Sequence, residues 1–334
     1  MSLSKKMVIL VLMICMTANL AACNKSSSGT ESSSTAAEIQ EGSDTGDISD
    51  LKVGVVMKSY DEFQQLVMDG AKDMALELGI AEANITLVAP NNESDVMAQV
   101  TMVEDLISKD IDILVLAVNQ EDSMLNVLDT AKEKGIQIVF ADTQAENFEG
   151  AVTYIGTDNK SAAYEGALIF GEELEDNSNV VILRGKLGDV NHEARTEGLI
   201  EALEEKGHTV LEVQDANCET DKAASTMEDL LTKYPDQIDA VMVTSDSMAV
   251  GAAQAVKGTG LTDSIKICGF DGFQSAISLV ETGEITMIIG QKPYEMGYEA
   301  VKCGVESIDG ATFDSYINPG IVMITSENYK DYLN

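Results

Sequence analysis

The feature that most restricts how this chain can fold is an alternation of two hydrophobic periods. Short, continuous, β-branched runs of strand length alternate with longer stretches of helical amphipathicity. From residue 51 the runs are LKVGVVM (51–57), ITLVA (85–89), ILVLAV (113–118) and IQIVFA (136–141). The amphipathic stretches between them cover 61–78, 93–108 and 121–134. A strand that is apolar along its whole length must be covered on both faces, which implies a parallel sheet with helices on either side. The pattern then starts again. NVVILR (179–184), HTVLEV (208–213), DAVMVT (239–244) and IKICGF (265–270) read as strands, with helices over roughly 159–175, 192–206, 219–233 and 247–257. The repeated architecture implies an α/β protein of two Rossmann-like lobes, with a join near TYIGTDN (153–159). A length of 334 residues and a hydrophobic content of 45% suit two cored domains. No Gly-rich dinucleotide fingerprint follows a first strand, and there is no Walker sequence, so no nucleotide cofactor is expected.

The N-terminus reads as a targeting segment. Lys5 and Lys6 precede the apolar run MVILVLMICM (7–16), which is too short to span a bilayer. It ends in LAAC (20–23), which looks like a bacterial lipobox, with cleavage before Cys23 and a lipid on its thiol; an ordinary secretory signal with an incidental Cys is the alternative. Residues 24–50 are rich in Ser, Thr, Glu and Asp and cannot bury enough apolar surface to fold, so 23–50 reads as a lipidated Cys and flexible tether. The expected location is extracytoplasmic, anchored to the bacterial cell membrane by lipid alone.

Net charge is −36, and residues 1–22 hold two Lys and no acid, so the mature chain is near −38. That argues against a nucleic-acid partner, which needs a basic face, and against broad contact with anionic lipid. Cys218, Cys268 and Cys303 remain after the leader and Cys23, an odd number that argues against a disulfide framework. Cys268 and Cys303 read as small core residues. The two histidines, His192 and His208, have no metal-ligand spacing, so no metal is expected.

In open parallel sheets ligands bind at the carboxyl ends of the strands. Here those ends carry Asp142, then Ser245 and Asp246, then Asp271, and after ITMII (285–289) Gly290 and Gln291; the helix at 192–206 adds Arg195. A cleft of acids, one Arg and an amide suits a neutral polyhydroxy ligand. Carboxylates take hydroxyl protons, while Arg and Gln donate to hydroxyl oxygens.

With those residues in place, the chain resembles the type I periplasmic sugar-binding proteins, the receptors of ABC sugar importers typified by ribose- and galactose-binding proteins. The likeness covers about 51–330. It rests on YDEFQQLVMDGAK (60–72), VFADT (139–143), HEARTEG (192–198), VTSDSMAVGAAQAV (243–256), ICGFDG (267–272) and IIGQKPYEMG (288–297) taken together. The resemblance implies an N-terminal lobe of 51–157 plus 291–318 and a C-terminal lobe of 158–290 plus 319–334. The hinge would lie near 155–158, 290–292 and 317–320. It implies that Phe63 stacks on a sugar ring with Asp61 before it, and that Asp142 and Asp271 take hydroxyls from the two lobes. Arg195 would clamp a hydroxyl or ring oxygen, Ser245 stands where many members carry Asn, and Gln291 matches a hinge-adjacent amide. Thr143, Ala117 and Cys218 depart from positions that often hold Arg, Asn and a second stacking aromatic. These departures leave room for an inositol, a modified or furanosyl sugar, a nucleoside or a furanone.

Each residue also has a structural reading. Phe63 could be core, Asp142 and Asp271 helix caps, Arg195 a surface ion pair, Gln291 a plain hinge residue. Asp246 reads as the cap of helix 247–257, and His192 as a solvated helix start. The expected function is a lipid-anchored, monomeric, non-enzymatic receptor that delivers a sugar or polyol to an ABC permease; a partner of a sensor kinase or chemoreceptor is the alternative. A glycosidase using Asp142 and Asp271 as paired carboxylates lacks support from any nucleophile elbow or metal site. A sugar-responsive repressor would need a DNA-binding motif where the leader stands.

Overall fold

The computed structural model describes residues 47–333. The leader, Cys23 and tether residues 24–46 lie outside the described residues. The last tether positions belong to the folded body: Ile48–Asp50 form a 3-10 turn, and Ser49 C=O accepts from Ala81 N–H and Asn84 Nδ2. No helix among the described residues is long and apolar enough to cross a membrane.

Two six-stranded sheets carry the fold. The first runs in the order β11 (Tyr316–Ile317), β5 (Thr153–Ile155), β4 (Gln137–Ala141), β3 (Ile113–Leu116), β1 (Val53–Val56) and β2 (Ile85–Val88), all parallel. The second has β12 (Val322–Thr325), β10 (Met287–Gly290), β9 (Lys266–Asp271), β8 (Ala240–Val243), β6 (Asn179–Arg184) and β7 (Thr209–Asp215), parallel except for the β10–β12 pair. Central strands β1, β3 and β8 are buried at every position, as their unbroken apolar runs require, while edge strands β2 and β7 are only half-buried. The two-lobe α/β class expected from the sequence is what the chain adopts.

The α-helices among the described residues are α1 (Glu62–Glu77), α2 (Val96–Ser108), α3 (Glu121–Glu133), α4 (Asn159–Glu172), α5 (Val190–Glu205), α6 (Thr220–Lys233), α7 (Asp246–Thr259), α8 (Gln274–Glu281) and α9 (Pro293–Ile308). The chain passes from one sheet to the other three times, between β5 and α4, between β10 and α9, and between β11 and β12.

The sequence reading assigned no helix at 274–281 or 293–308 and no strand for β5, β11 or β12. β5 and β11 are three and two residues long, too short to show a period, and β12 is an antiparallel edge strand with only Ile324 buried, so it lacks the unbroken buried apolar run of the central strands. In α9 the helical signal is diluted by Gly297 and Gly304, poor helix formers. The packing explains both: a Cβ on Gly304 would lie 2.6 Å from Ile113 Cγ2 on β3. A Cβ on Gly297 would lie 1.8 Å from Val67 O on α1, and one on Gly70 would lie 2.0 Å from Tyr294 O on α9, so the two backbones touch. Helix propensity alone predicts that Gly297→Ala stabilises the protein by about 1 kcal/mol. The contact predicts the opposite, a loss of about 1–3 kcal/mol from overpacking, and urea denaturation distinguishes the two.

Candidate functional site

The carboxyl ends of both sheets face one cavity of about 350 Å³, at the small end of the roughly 300–1,000 Å³ of small-molecule sites. The first lobe contributes Lys58, Asp61, Phe63 and Gln64 after β1, Glu93 after β2 and Asp142 after β4. The second contributes Asp189, Asn191, His192 and Arg195 after β6, Cys218 after β7, Ser245 and Ser247 after β8, Asp271 and Phe273 at the end of β9, and Gln291 after β10. All seven residues singled out in the sequence, Asp61, Phe63, Asp142, Arg195, Ser245, Asp271 and Gln291, line it.

Asp271 is the centre of the second-lobe wall. Its Oδ1 accepts from Arg195 Nη1 at 3.0 Å and from Gln291 Nε2 at 2.7 Å. Arg195 is held in turn by Nη1 to Thr244 O at 2.8 Å and Nε to Asn159 Oδ1 at 2.7 Å, and its guanidinium lies 4.1 Å from the centroid of the Phe270 ring. Arg195 and Asp271 are 5% and 7% exposed, so the pair is a cleft wall and not a surface ion pair. Burial pushes the Asp271 carboxyl up to about 6, against the opposing pull of the Arg195 charge and the Gln291 hydrogen bond. Neither cleft acid caps the helix that follows it. Asp142 Oδ2 instead accepts from Gln64 Nε2 at 2.9 Å and from the Thr143 hydroxyl at 3.2 Å. Asp142, Cys218 and Asp271 all have positive φ (65°, 60° and 126°). Non-glycine residues adopt that region at a cost, and such strain clusters at ligand sites.

Two of the other residues have double roles. Asp61 lines the cavity while its Oδ1 caps α1 through Gln64 N–H at 2.9 Å and its Oδ2 accepts from the Ser59 hydroxyl. Phe63 lines the cavity and belongs to the first lobe's core. Ser245 Oγ is 2.9 Å from Ser247 Oγ, which donates to Cys218 O at 2.8 Å, so these short side chains brace the β7–α6 loop.

Two sequence readings are corrected. Asp246 is not the cap of its own helix. It is the first residue of α7, 0% exposed, and its Oδ2 accepts from the backbone N–H of Gly272 and Phe273 at 2.7 and 2.8 Å. Burial, and then the charge of Asp271, raises its carboxyl well above the usual range. His192 is not a solvated helix start but part of the wall. Its Nδ1 is 2.9 Å from Thr244 Oγ1 and its Nε2 is 3.1 Å from Cys218 Sγ. Burial, with the neighbouring Arg195 charge, lowers its pKa to about 4, so the ring is neutral at pH 7. Cys268 and Cys303 are buried, as expected; Cys218 is half-buried, and all three are free thiols.

The departures fall in different places. Ala117 is fully buried, with its carbonyl accepting from Gln99 Nε2 at 2.7 Å, and does not line the cavity. Thr143 faces a neighbouring cavity of about 360 Å³ beside Tyr154 and Tyr316. Sequence reasoning missed Lys58, Gln64, Glu93, Asp189, Asn191, Ser247 and Phe273. Lys58 is the most consequential. Its ammonium lies 3.6 Å from Glu93. Burial alone would lower its pKa, but Asp142, Glu93, Asp189 and Asp61 outweigh that and raise it, so it stays charged. Lys58 lies two residues beyond β1 and Phe273 two beyond β9. Applying the strand-end rule to every loop, rather than to acids, would have found both.

Residues 53–312 match the family model described as periplasmic binding protein domain. Among curated relatives, the D-allose-binding periplasmic protein of Escherichia coli is 29% identical over 249 residues, covering 71% of this chain and 78% of that protein. The D-ribose/D-allose-binding protein of Pseudomonas aeruginosa is 26% identical over 269 residues, covering 78% and 83%. Among solved structures, an ABC transporter periplasmic solute binding protein from Actinobacillus succinogenes with bound D-allose has a TM-score of 0.78 at 27% identity, covering 84% of this chain and 100% of that one. With its two parallel sheets and a polar cleft at their facing strand ends, this chain belongs to the periplasmic binding protein family, a family of binding proteins and not of enzymes.

Proposed function

We propose that this protein captures a sugar or sugar-like polyol in the interlobe cleft and delivers it to the permease of an ABC importer. The observation that carries the reading is the buried Asp271–Arg195–Gln291 cluster, facing the same cavity as Asp142. It offers acceptors and fixed donors side by side, the pairing that a hydroxyl needs on its two functions. The relatives above, named for ribose and allose, support the same ligand class. In this reading Phe63 takes the apolar face of the ring, Asp61 and Ser245 border it, and the two sheet bodies, 51–157 plus 291–318 and 158–290 plus 319–334, close about the three chain crossings as a hinge. The receptor acts as a monomer, held outside the cytoplasmic membrane by a lipid on Cys23 after loss of residues 1–22.

The test is a thermal-shift screen of the chain without its leader against pentoses, hexoses, inositols, other polyols, nucleosides and furanones. A ligand at 100 times its dissociation constant stabilises by about 2.7 kcal/mol. A shift confined to sugars and polyols is the expected result; silence across them, with a shift from another class, overturns the reading.

Affinity is also expected to depend on pH. Asp271 accepts a strong, charge-assisted bond from a ligand hydroxyl only when ionised. With its carboxyl at about 6, binding is flat above pH 7 and weakens as pH falls through 6, with Kd rising towards about tenfold per pH unit. Calorimetry at pH 7.5, 6 and 5 checks this, and a Kd unchanged at pH 5 removes Asp271 from the hydroxyl-accepting role.

A further inference from the structure

The loop that follows Asp271 reaches from the second lobe onto the first. Asp246 Oδ2 fixes it from behind through Gly272 and Phe273 N–H, and Gln274 Nε2 donates to Tyr332 O at 2.8 Å. On its other side the Phe273 ring packs against the first lobe's hydrophobic core. Directly beside it, the backbone N–H of Gln274 donates to Glu62 Oε1 at 2.8 Å, across 212 residues of sequence. Gln274 is the first residue of α8, and the N-cap position, Phe273, supplies no side-chain hydrogen bond to that helix. A helix start whose own cap residue makes no such bond is therefore capped by a carboxylate from the opposite lobe. Glu62 is also the first residue of α1. Its charge thus sits at the positive ends of two helix dipoles, one in each lobe.

From this geometry we infer that Glu62 is a positioning residue for ligand capture: it caps α8 across the cleft, holds the closed arrangement and so sets how long a bound ligand stays. The inference rests on the proposed cleft-capture function. Glu62 does not line the cavity, so its contribution is to lobe closure and not to ligand recognition. The bond exists only while the lobes are together, and opening exchanges it for water at both groups. A charge-assisted bond of this kind, though exposed to solvent, favours the closed state. Asp246 supplies the rigidity that makes the cap effective, because a loop free to follow Glu62 would not draw the lobes together.

The experiment compares wild type, Glu62→Ala and Glu62→Gln in the full chain, with D-allose, D-ribose and xylitol as probes. Dissociation rates come from stopped flow and compactness without ligand from small-angle scattering. Glu62→Ala is expected to speed dissociation about three- to tenfold, to leave the affinity ratios among the probes unchanged and to enlarge the radius of gyration of the unliganded protein. Glu62→Gln, which keeps an acceptor oxygen without the charge, falls between. A purely structural role of Glu62 in α1 would lower the melting temperature without moving scattering or dissociation. The inference is overturned if Glu62→Ala matches wild type in scattering and dissociation, or if it changes the affinity ratios. If wild type binds none of the probes, those ligands are excluded for the cleft, and the unliganded scattering comparison still decides whether Glu62 holds the lobes.

Discussion

Asp271→Ala is expected to weaken ligand binding by about 2–5 kcal/mol, a rise in Kd of roughly 30-fold to several thousandfold. Two losses combine. The ligand loses a charged acceptor, and the Arg195 guanidinium and Gln291 amide lose the oxygen to which both donate. Arg195 is 5% exposed, so its guanidinium is left in the wall without its counter-ion. Asp271→Asn separates these contributions, because it keeps an oxygen for Arg195 and Gln291 but removes the negative charge. It is expected to bind more tightly than Asp271→Ala and to lose the weakening below pH 6. Isothermal titration of the three proteins with one sugar measures both effects, and an affinity unchanged in Asp271→Ala takes that carboxylate out of the site.

Arg195→Met carries the second large effect, on stability as well as binding. The guanidinium joins α5 to the ends of β8 and β9 through Thr244 O and Asp271 and to the first residue of α4 through Asn159. Methionine keeps apolar contact with Phe270 but leaves those acceptors unmatched. Breaking a buried pair costs about 3–5 kcal/mol, which for a chain of this size lowers the melting temperature by roughly 5–8 °C. The loss should depend on pH in a defined direction. The Asp271 carboxyl, already raised to about 6, rises further without the cation. A carboxyl whose folded pKa lies above its unfolded value destabilises the fold when ionised and stops doing so once protonated. The variant is therefore expected to be most destabilised near pH 8 and to recover part of the difference at pH 5. Melting curves of both proteins at the two pH values test it; an equal deficit at both assigns the loss to Thr244 and Asn159 instead.

Most of the strands and helices, their α/β class and the repetition into two lobes were legible along the chain, because each depends on a period carried by neighbouring residues. Strand burial demands unbroken apolar runs such as ILVL (113–116), and helix α1 starts at Asp61 because an Asp there can accept from Gln64 N–H. The acids at the ends of β4 and β9 were legible for a related reason: a carboxylate at the end of a buried strand needs a partner. Tertiary structure alone decided who those partners are. Gln64 meets Asp142 across 78 residues, Arg195 meets Asp271 across 76 and Asp246 holds the loop of Phe273 across 27. Loops at the ends of parallel strands are brought together by the order of strands in the sheet, and strand order leaves no local period. The same is true of Gly70 in α1 and Gly297 in α9, which look like weak points in a helix until two backbones cross at them. It is true of Glu62, an ordinary first-turn acid by sequence, whose carboxylate reaches a helix in the other lobe only because the chain crosses between the two sheets three times.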